Sequence, residues 1–293
     1  MTSGRSLCSV VAEAAGDPRE GTAPPADQWF LLEHPGPWGR VPLTQSGIDP
    51  HAVETIGRWA ADNRGRALLI RRPGRSAAPT TRRWFRVDSR PGREAIRTGT
   101  FDDEHELAAA VHGPGRPYEG PLHLVCSHGR HDTCCAVRGR PLVSTLATID
   151  PTPTWECSHL GGCRFAPTLV LLPHGYAFGS VPPDDAAGVL KHYDAGLIDP
   201  RWLRGRTCHP PVVQAAQHHA RARSDAFGVD ALRPTSVQEV APARWRVVLA
   251  DPDCVVELAE RHVTTGRPLT CATTAPGRMR EFELLTIDSH PPG

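Results

Sequence analysis

Short apolar runs bounded by turn residues alternate with amphipathic stretches along most of this chain. Gln28–Glu33 reads as a strand, and His51–Asn63 as an amphipathic helix after the Asp49-Pro50 start signal. Arg66–Arg71 and Arg82–Val87 read as strands, and Asp102–His112 as a helix with acidic residues in its first turn. The order then recurs. Pro121–Cys126 is a predicted strand, Ala136–Thr148 a helix and Thr152–Cys157 a strand. Thr168–Pro173 and Tyr176–Val181 form a predicted hairpin turning at His174-Gly175, followed by a helix over Pro183–Ala195. Turn-rich stretches at Gly16–Asp27, Pro35–Asp49, Pro73–Pro79, Gly113–Gly120 and Cys208–Pro211 separate these elements.

Strand, helix, two or more strands, helix is the outline of a thioredoxin-like unit. Its double occurrence predicts an α/β protein of two tandem βαββα units. Beyond residue 205 the pattern changes to a helix over Pro211–Phe227 and strands near Val237–Val240, Trp245–Ala250, Cys254–Leu258 and Glu281–Ile287, a small α+β module. The expected division is residues 1–115, 116–205 and 206–293.

Composition narrows the function without naming it. The chain has 293 residues, long enough to bury a substantial core, with 39% hydrophobic and 22% charged residues. With 33 basic against 32 acidic residues the formal net charge is +1, so no global field attracts nucleic acid or an acidic membrane. The amino-terminal apolar run is interrupted at Glu13, which argues against a secretory signal, and nothing approaches the ~18 uninterrupted apolar residues of a membrane span. A cytoplasmic protein is the expectation. There, nine cysteines stay reduced, and clustered ones point to metal or redox chemistry rather than structural disulfides.

Five of the nine lie in two short segments, Cys126-Ser-His-Gly-Arg-His-Asp-Thr-Cys134-Cys135 and Trp155-Glu-Cys157-Ser-His159-Leu-Gly-Gly-Cys163. Cys126 closes an apolar strand, and Cys134 and Cys135 sit where a helix begins, with the positive end of its dipole toward them. In the second segment Gly161 and Gly162 let a short loop aim His159 and Cys163 at one point. Thiolates and imidazole together are the donor set of zinc and of iron–sulfur clusters.

These segments, with Gly21-Thr-Ala, Trp29-Phe-Leu-Leu-Glu-His-Pro-Gly-Pro-Trp38-Gly, Arg164-Phe-Ala and Leu169-Val-Leu-Leu-Pro173, resemble the sucrase/ferredoxin-like proteins, thioredoxin-fold proteins carrying a [2Fe–2S] cluster. The resemblance runs from Cys8 to about Gly205. It implies a C-x8-C pair, Cys126 and Cys135, with Cys134 as a neighbour. It also implies a second pair that is often H-x3-H and is here His159 and Cys163. The implied cofactor is one [2Fe–2S] cluster on Cys126, Cys135, His159 and Cys163, with no catalytic residue, and an unidentified redox partner protein. Cys134 remains an alternative to Cys135, and Cys157 to His159. Exchanging one thiolate for neutral imidazole removes negative charge and raises the reduction potential. The expected value lies between all-cysteine plant-type clusters at about −400 mV and two-histidine Rieske centres at roughly −150 to +300 mV. If the free ring nitrogen of His159 ionises, electron transfer becomes proton-coupled.

Three rival readings remain. A structural zinc site could use the same four ligands. A thiol–disulfide oxidoreductase could use Cys134-Cys135, although its usual signature is C-x-x-C. A glycosidase would need paired carboxylates in a sugar cleft, and Asp102, Asp103 and Glu104 read more simply as a helix start. Cys8 is expected in a mobile segment and Cys208 at a turn. Cys254 and Cys271 fall in the carboxyl-terminal module, where a second site has little support. His128 and His131 are assigned a solvated or supporting role, and Trp29, Trp38 and Trp155 to the core.

Overall fold

Leu31 and Leu124 hold equivalent places in two copies of one strand arrangement. A computed structural model describes residues 6–74 and 80–288; the expected turn at Pro73–Pro79 lies mostly outside the described residues. After helix α1 (Cys8–Ala14), the first copy comprises β1 (Gln28–Glu33), a short α2 (Pro42–Gln45), α3 (Pro50–Asp62), β2 (Gly65–Arg71), β3 (Arg82–Asp88), β4 (Ala95–Phe101) and α4 (Glu106–His112). β1 runs parallel to β2 and antiparallel to β3, which pairs with β4. A two-residue β5 (Arg116–Pro117) leads to the second copy: β6 (Leu122–Cys126), α5 (Thr133–Ile149), β7 (Thr154–Cys157), β8 (Thr168–Leu172), β9 (Tyr176–Gly179) and α6 (Ala186–Asp194). Here too the first strand is parallel to the second and antiparallel to the third. The expected pair of tandem βαββα units is therefore present.

The two copies meet through their second strands, β2 antiparallel to β7 with Ile70 opposite Cys157. With β10 (Leu203–Arg206) added at the far edge, they form one ten-stranded sheet in the order β10-β9-β8-β6-β7-β2-β1-β3-β4-β5. Side chains alternate across a strand. Trp29 and Leu31 thus join Leu124, Cys126 and Trp155 in one core, while Phe30 and Leu32 pack with Ile56 and Trp59 of α3 in another. Val125, Leu169 and Leu171 form a third core with α5 and α6. Burial on both faces explains why these strands read as unbroken apolar runs.

Helix α7 (Pro211–Ser224) packs Val212, Val213 and Ala216 against Val247, Val256 and Leu258 of a separate antiparallel sheet. That sheet orders β11 (Arg233–Ala241), β12 (Arg244–Ala250), β13 (Cys254–Thr264) and β14 (Arg278–Asp288).

Several expectations need correction. Cys8 is not in a mobile segment: it starts α1 and is buried. β4 lay outside the sequence reading, and α4 begins at Glu106 because Asp102–His105 forms a turn in which the Asp103 side chain accepts from the His105 amide. α7 stops at Ser224, where Asp225 turns left-handed with φ of 50°. Trp29, Trp38 and Trp155 are core residues, as expected.

Candidate metal centre

Cys126 is the last residue of β6, and its main chain lies against the first turns of α5. A β-carbon on Gly139 would stand 2.1 Å from the Cys126 carbonyl oxygen, so this helix position admits only glycine. Asp132 caps α5 by accepting a hydrogen bond from the Cys134 amide at 2.9 Å. The cap holds Cys134 and Cys135 in the first turn, and the helical twist sends the two thiols different ways. Cys135 turns toward Cys126, and both Cys126 and Cys163 stand near enough to share its proton. Cys134 turns toward Cys8 and Cys271.

The other half of the centre hangs from β7. Ser158 extends the pairing with β2, its amide donating to the Leu69 carbonyl at 2.8 Å. Then Gly161 and Gly162, at φ of 98° and 78°, reverse the chain so that His159 and Cys163 face each other. The Cys163 Sγ lies 3.8 Å from His159 Nδ1 and 3.9 Å from Nε2. The donor atoms of Cys126, Cys135 and His159 lie within 4.8 Å of one another, as do those of His131, His159 and Cys163. The four residues singled out by the sequence thus converge, in two overlapping groups that share His159. Among the described residues, Cys157 belongs to neither group; it is buried in β7 opposite Cys126.

Charge at the centre is balanced from below. Arg66, from β2 of the first copy, donates to the carbonyls of Leu160 at 2.5 Å and His159 at 3.0 Å. Arg204, from β10, donates to the Gly161 carbonyl at 3.0 Å and to the Thr22 carbonyl. Burial lowers the pKa of Arg204 to about 9, and that of Arg66 also falls, while the nearby thiols counter this in both. Hydrogen bonding from Cys135 and from His159 lowers the pKa of Cys126 and of Cys163, against burial. Sharing that proton raises Cys135. Burial disfavours a charged His159, but its bonds to Cys126 and Cys163 outweigh this and lift the ring to about 9. The site is built for anionic sulfur.

The first copy also covers the loop after Cys126. His128 Nε2 lies 2.9 Å from the Gly39 carbonyl oxygen, and its ring meets Trp38 edge-on at 5.8 Å. His131 stacks on His159 with ring centres 3.6 Å apart. Sequence reasoning missed these contacts and both arginines; in a chain with 33 basic residues no local signal marks two of them.

A family model of sucrase/ferredoxin-like proteins matches residues 20–205. The chain belongs to the sucrase/ferredoxin-like family. The match spans both βαββα copies and ends at β10, leaving α7 and the four-stranded sheet beyond it. Among solved structures, the chain is similar to a cysteine-to-serine variant of the thioredoxin-like [2Fe–2S] ferredoxin from Aquifex aeolicus. That likeness has 21% identity over 29% of this chain and 97% of the ferredoxin, with a TM-score of 0.25, too weak to carry structural weight. No curated protein matches. As a sucrase/ferredoxin-like protein, the chain presents a cysteine-rich group capable of holding metal, and no helix among its described residues is long and apolar enough to cross a membrane.

Proposed function

We propose that this protein binds one [2Fe–2S] cluster through Cys126, Cys135, His159 and Cys163 and serves in one-electron transfer or redox sensing with a redox partner protein, in the cytoplasm. The convergence of these four donors from two loops of the second copy carries the reading. Their grouping supports a two-metal core over a single ion: Cys126 and Cys163 belong to different groups joined through His159, whereas one zinc ion needs all four donors around one point.

Bound there, the cluster would supply a one-electron couple. Cys126, Cys135 and Cys163 would hold the iron as thiolates, and the net negative charge they bring deepens on reduction. Arg66 and Arg204 offset that charge through the loop backbone they grip. His159, as the neutral ligand, lowers the negative charge further and should place the potential above all-cysteine clusters. The packed Trp38–His128 contact and the buried strand ends exclude water from the sulfur side.

Anaerobic purification followed by iron and sulfide analysis tests the reading. Red-brown protein with two irons and two sulfides per chain is expected, retained in Cys157→Ser and lost in Cys163→Ser. Colourless protein containing zinc at these four residues would overturn it, and a spectrum that vanishes in Cys157→Ser but survives His159→Ala would overturn the ligand set.

A further inference from the structure

Cys134 leaves the centre described above and meets a different set of donors. Its Sγ lies 3.4 Å from Cys8 Sγ and 3.2 Å from Cys271 Sγ. Asp132 Oδ2 stands 4.0 Å from Cys8 Sγ, and the four donor atoms of Cys8, Asp132, Cys134 and Cys271 lie within 4.8 Å of one another. These residues come from α1, the start of α5 and the segment joining β13 to β14. Cys8 and Cys271 are 263 residues apart in the chain.

The geometry points to a second metal site, in which Cys8, Cys134, Cys271 and Asp132 hold one Zn2+ ion in a closed structural position. Three sulfurs and a carboxylate oxygen are a donor set that zinc accepts. Thiolates on one tetrahedral zinc stand about 3.8 Å apart, since each Zn–S bond is about 2.3 Å, so the side chains need spread by only about half an ångström. A [2Fe–2S] core holds its four ligands as two pairs, one on each iron with the core between them, and four donors all within 4.8 Å of one another leave no room for it. A disulfide would join two of the three and strand the last.

The surroundings suit thiolates. The Ser9 amide and hydroxyl donate to Cys134 Sγ at 3.5 and 3.3 Å, and the Cys8 amide donates to Cys271 Sγ at 3.3 Å. Asp132 is itself oriented by the Thr270 hydroxyl at 2.7 Å and the Cys271 amide at 2.8 Å. The Arg164 guanidinium stands close enough to Cys8 for their charges to interact. Binding releases to solvent the protons that the thiols still carry and changes no oxidation state. Its effect is to clamp α1 and the β13–β14 connection onto α5, and it stands independently of the iron–sulfur reading.

The test is elemental analysis of the full chain purified anaerobically from zinc-replete cells, with Co2+ as a spectroscopic probe. About one zinc per chain is expected in addition to iron. Cys271→Ser and Cys8→Ser should each lose the zinc and keep the iron, and Cys126→Ser should do the reverse. Co2+ added alone to the reduced, chelator-treated protein should give sulfur-to-cobalt charge-transfer absorption that is absent in Cys271→Ser. Should Cys8→Ser not fold, Cys271→Ser decides, because Cys271 lies half-buried in a connecting segment; amide hydrogen exchange across the β13–β14 connection should quicken in it. A wild-type chain with neither zinc nor the cobalt spectrum, zinc lost from Cys126→Ser rather than Cys271→Ser, or a disulfide from Cys134 to Cys8 or Cys271 in the anaerobic protein would overturn the proposal.

Discussion

The two βαββα copies share strand order and pairing, yet among the described residues only the second carries a cluster of cysteine and histidine donors. β6 ends in Cys126 and β7 in Cys157 with His159 two residues on, whereas β1 ends in Glu33 and β2 in Arg71. Glu33 accepts a hydrogen bond from the Arg83 amide at 2.9 Å, a structural task. The first copy still serves the centre, sending Arg66 under the His159 loop and Gly39 and Trp38 over the His128 loop. The scaffold repeats, but chemistry resides in the loops after its parallel strands, and the copy without ligands has become the support of the other.

The sharpest way to break this comparison exchanges the two strand ends. Cys126→Ser should abolish iron binding, with loss of visible absorption, while Glu33→Gln should leave iron per chain unchanged. Iron loss in Glu33→Gln with the fold intact would mean the first copy holds a ligand.

Next in size is Gly162→Ala. A β-carbon there would sit 2.4 Å from the Arg204 guanidinium, at φ of 78°. The substitution should cost about 1–3 kcal/mol and loosen the His159–Cys163 loop. Thermal unfolding and iron content should fall together; normal iron with a normal melting temperature would show the turn to be tolerant.

A smaller effect is expected of Arg66→Met, which takes from the first copy its cation beneath the site. Iron should still bind, with a reduction potential lower by something on the order of tens of millivolts, as removing a nearby positive charge favours the oxidised form. An unchanged potential in redox titration would show that Arg66 acts on the loop backbone alone.

Much of the second copy was legible in the sequence because its signals are local. The Cys126-to-Cys135 spacing and the Gly161-Gly162 turn each lie within a single loop, and the unbroken run Leu122-His-Leu-Val-Cys126 marks a strand buried on both faces. β4 was not legible: its inward Ile96 and Thr98 alternate with Arg97 and Gly99, a weak apolar signal. Gly99 is there because Trp84 leaves no space, 2.6 Å from where a β-carbon would be. Cys8 looked mobile because nothing near it in sequence explains its burial; Asp132, Cys134 and Cys271 do so across the fold. The adjacent Cys134 and Cys135 were the one local hint of two destinations, since neighbouring helix positions point about 100° apart.

The most direct measurement is pulsed electron paramagnetic resonance of the dithionite-reduced protein. The expected signal is that of one unpaired electron shared by two irons, with strong coupling to a single histidine nitrogen that disappears in His159→Cys while the cluster remains. A reduced cluster with no coupled nitrogen, or protein with no such signal and zinc in place of iron at Cys126, Cys135 and Cys163, would contradict it.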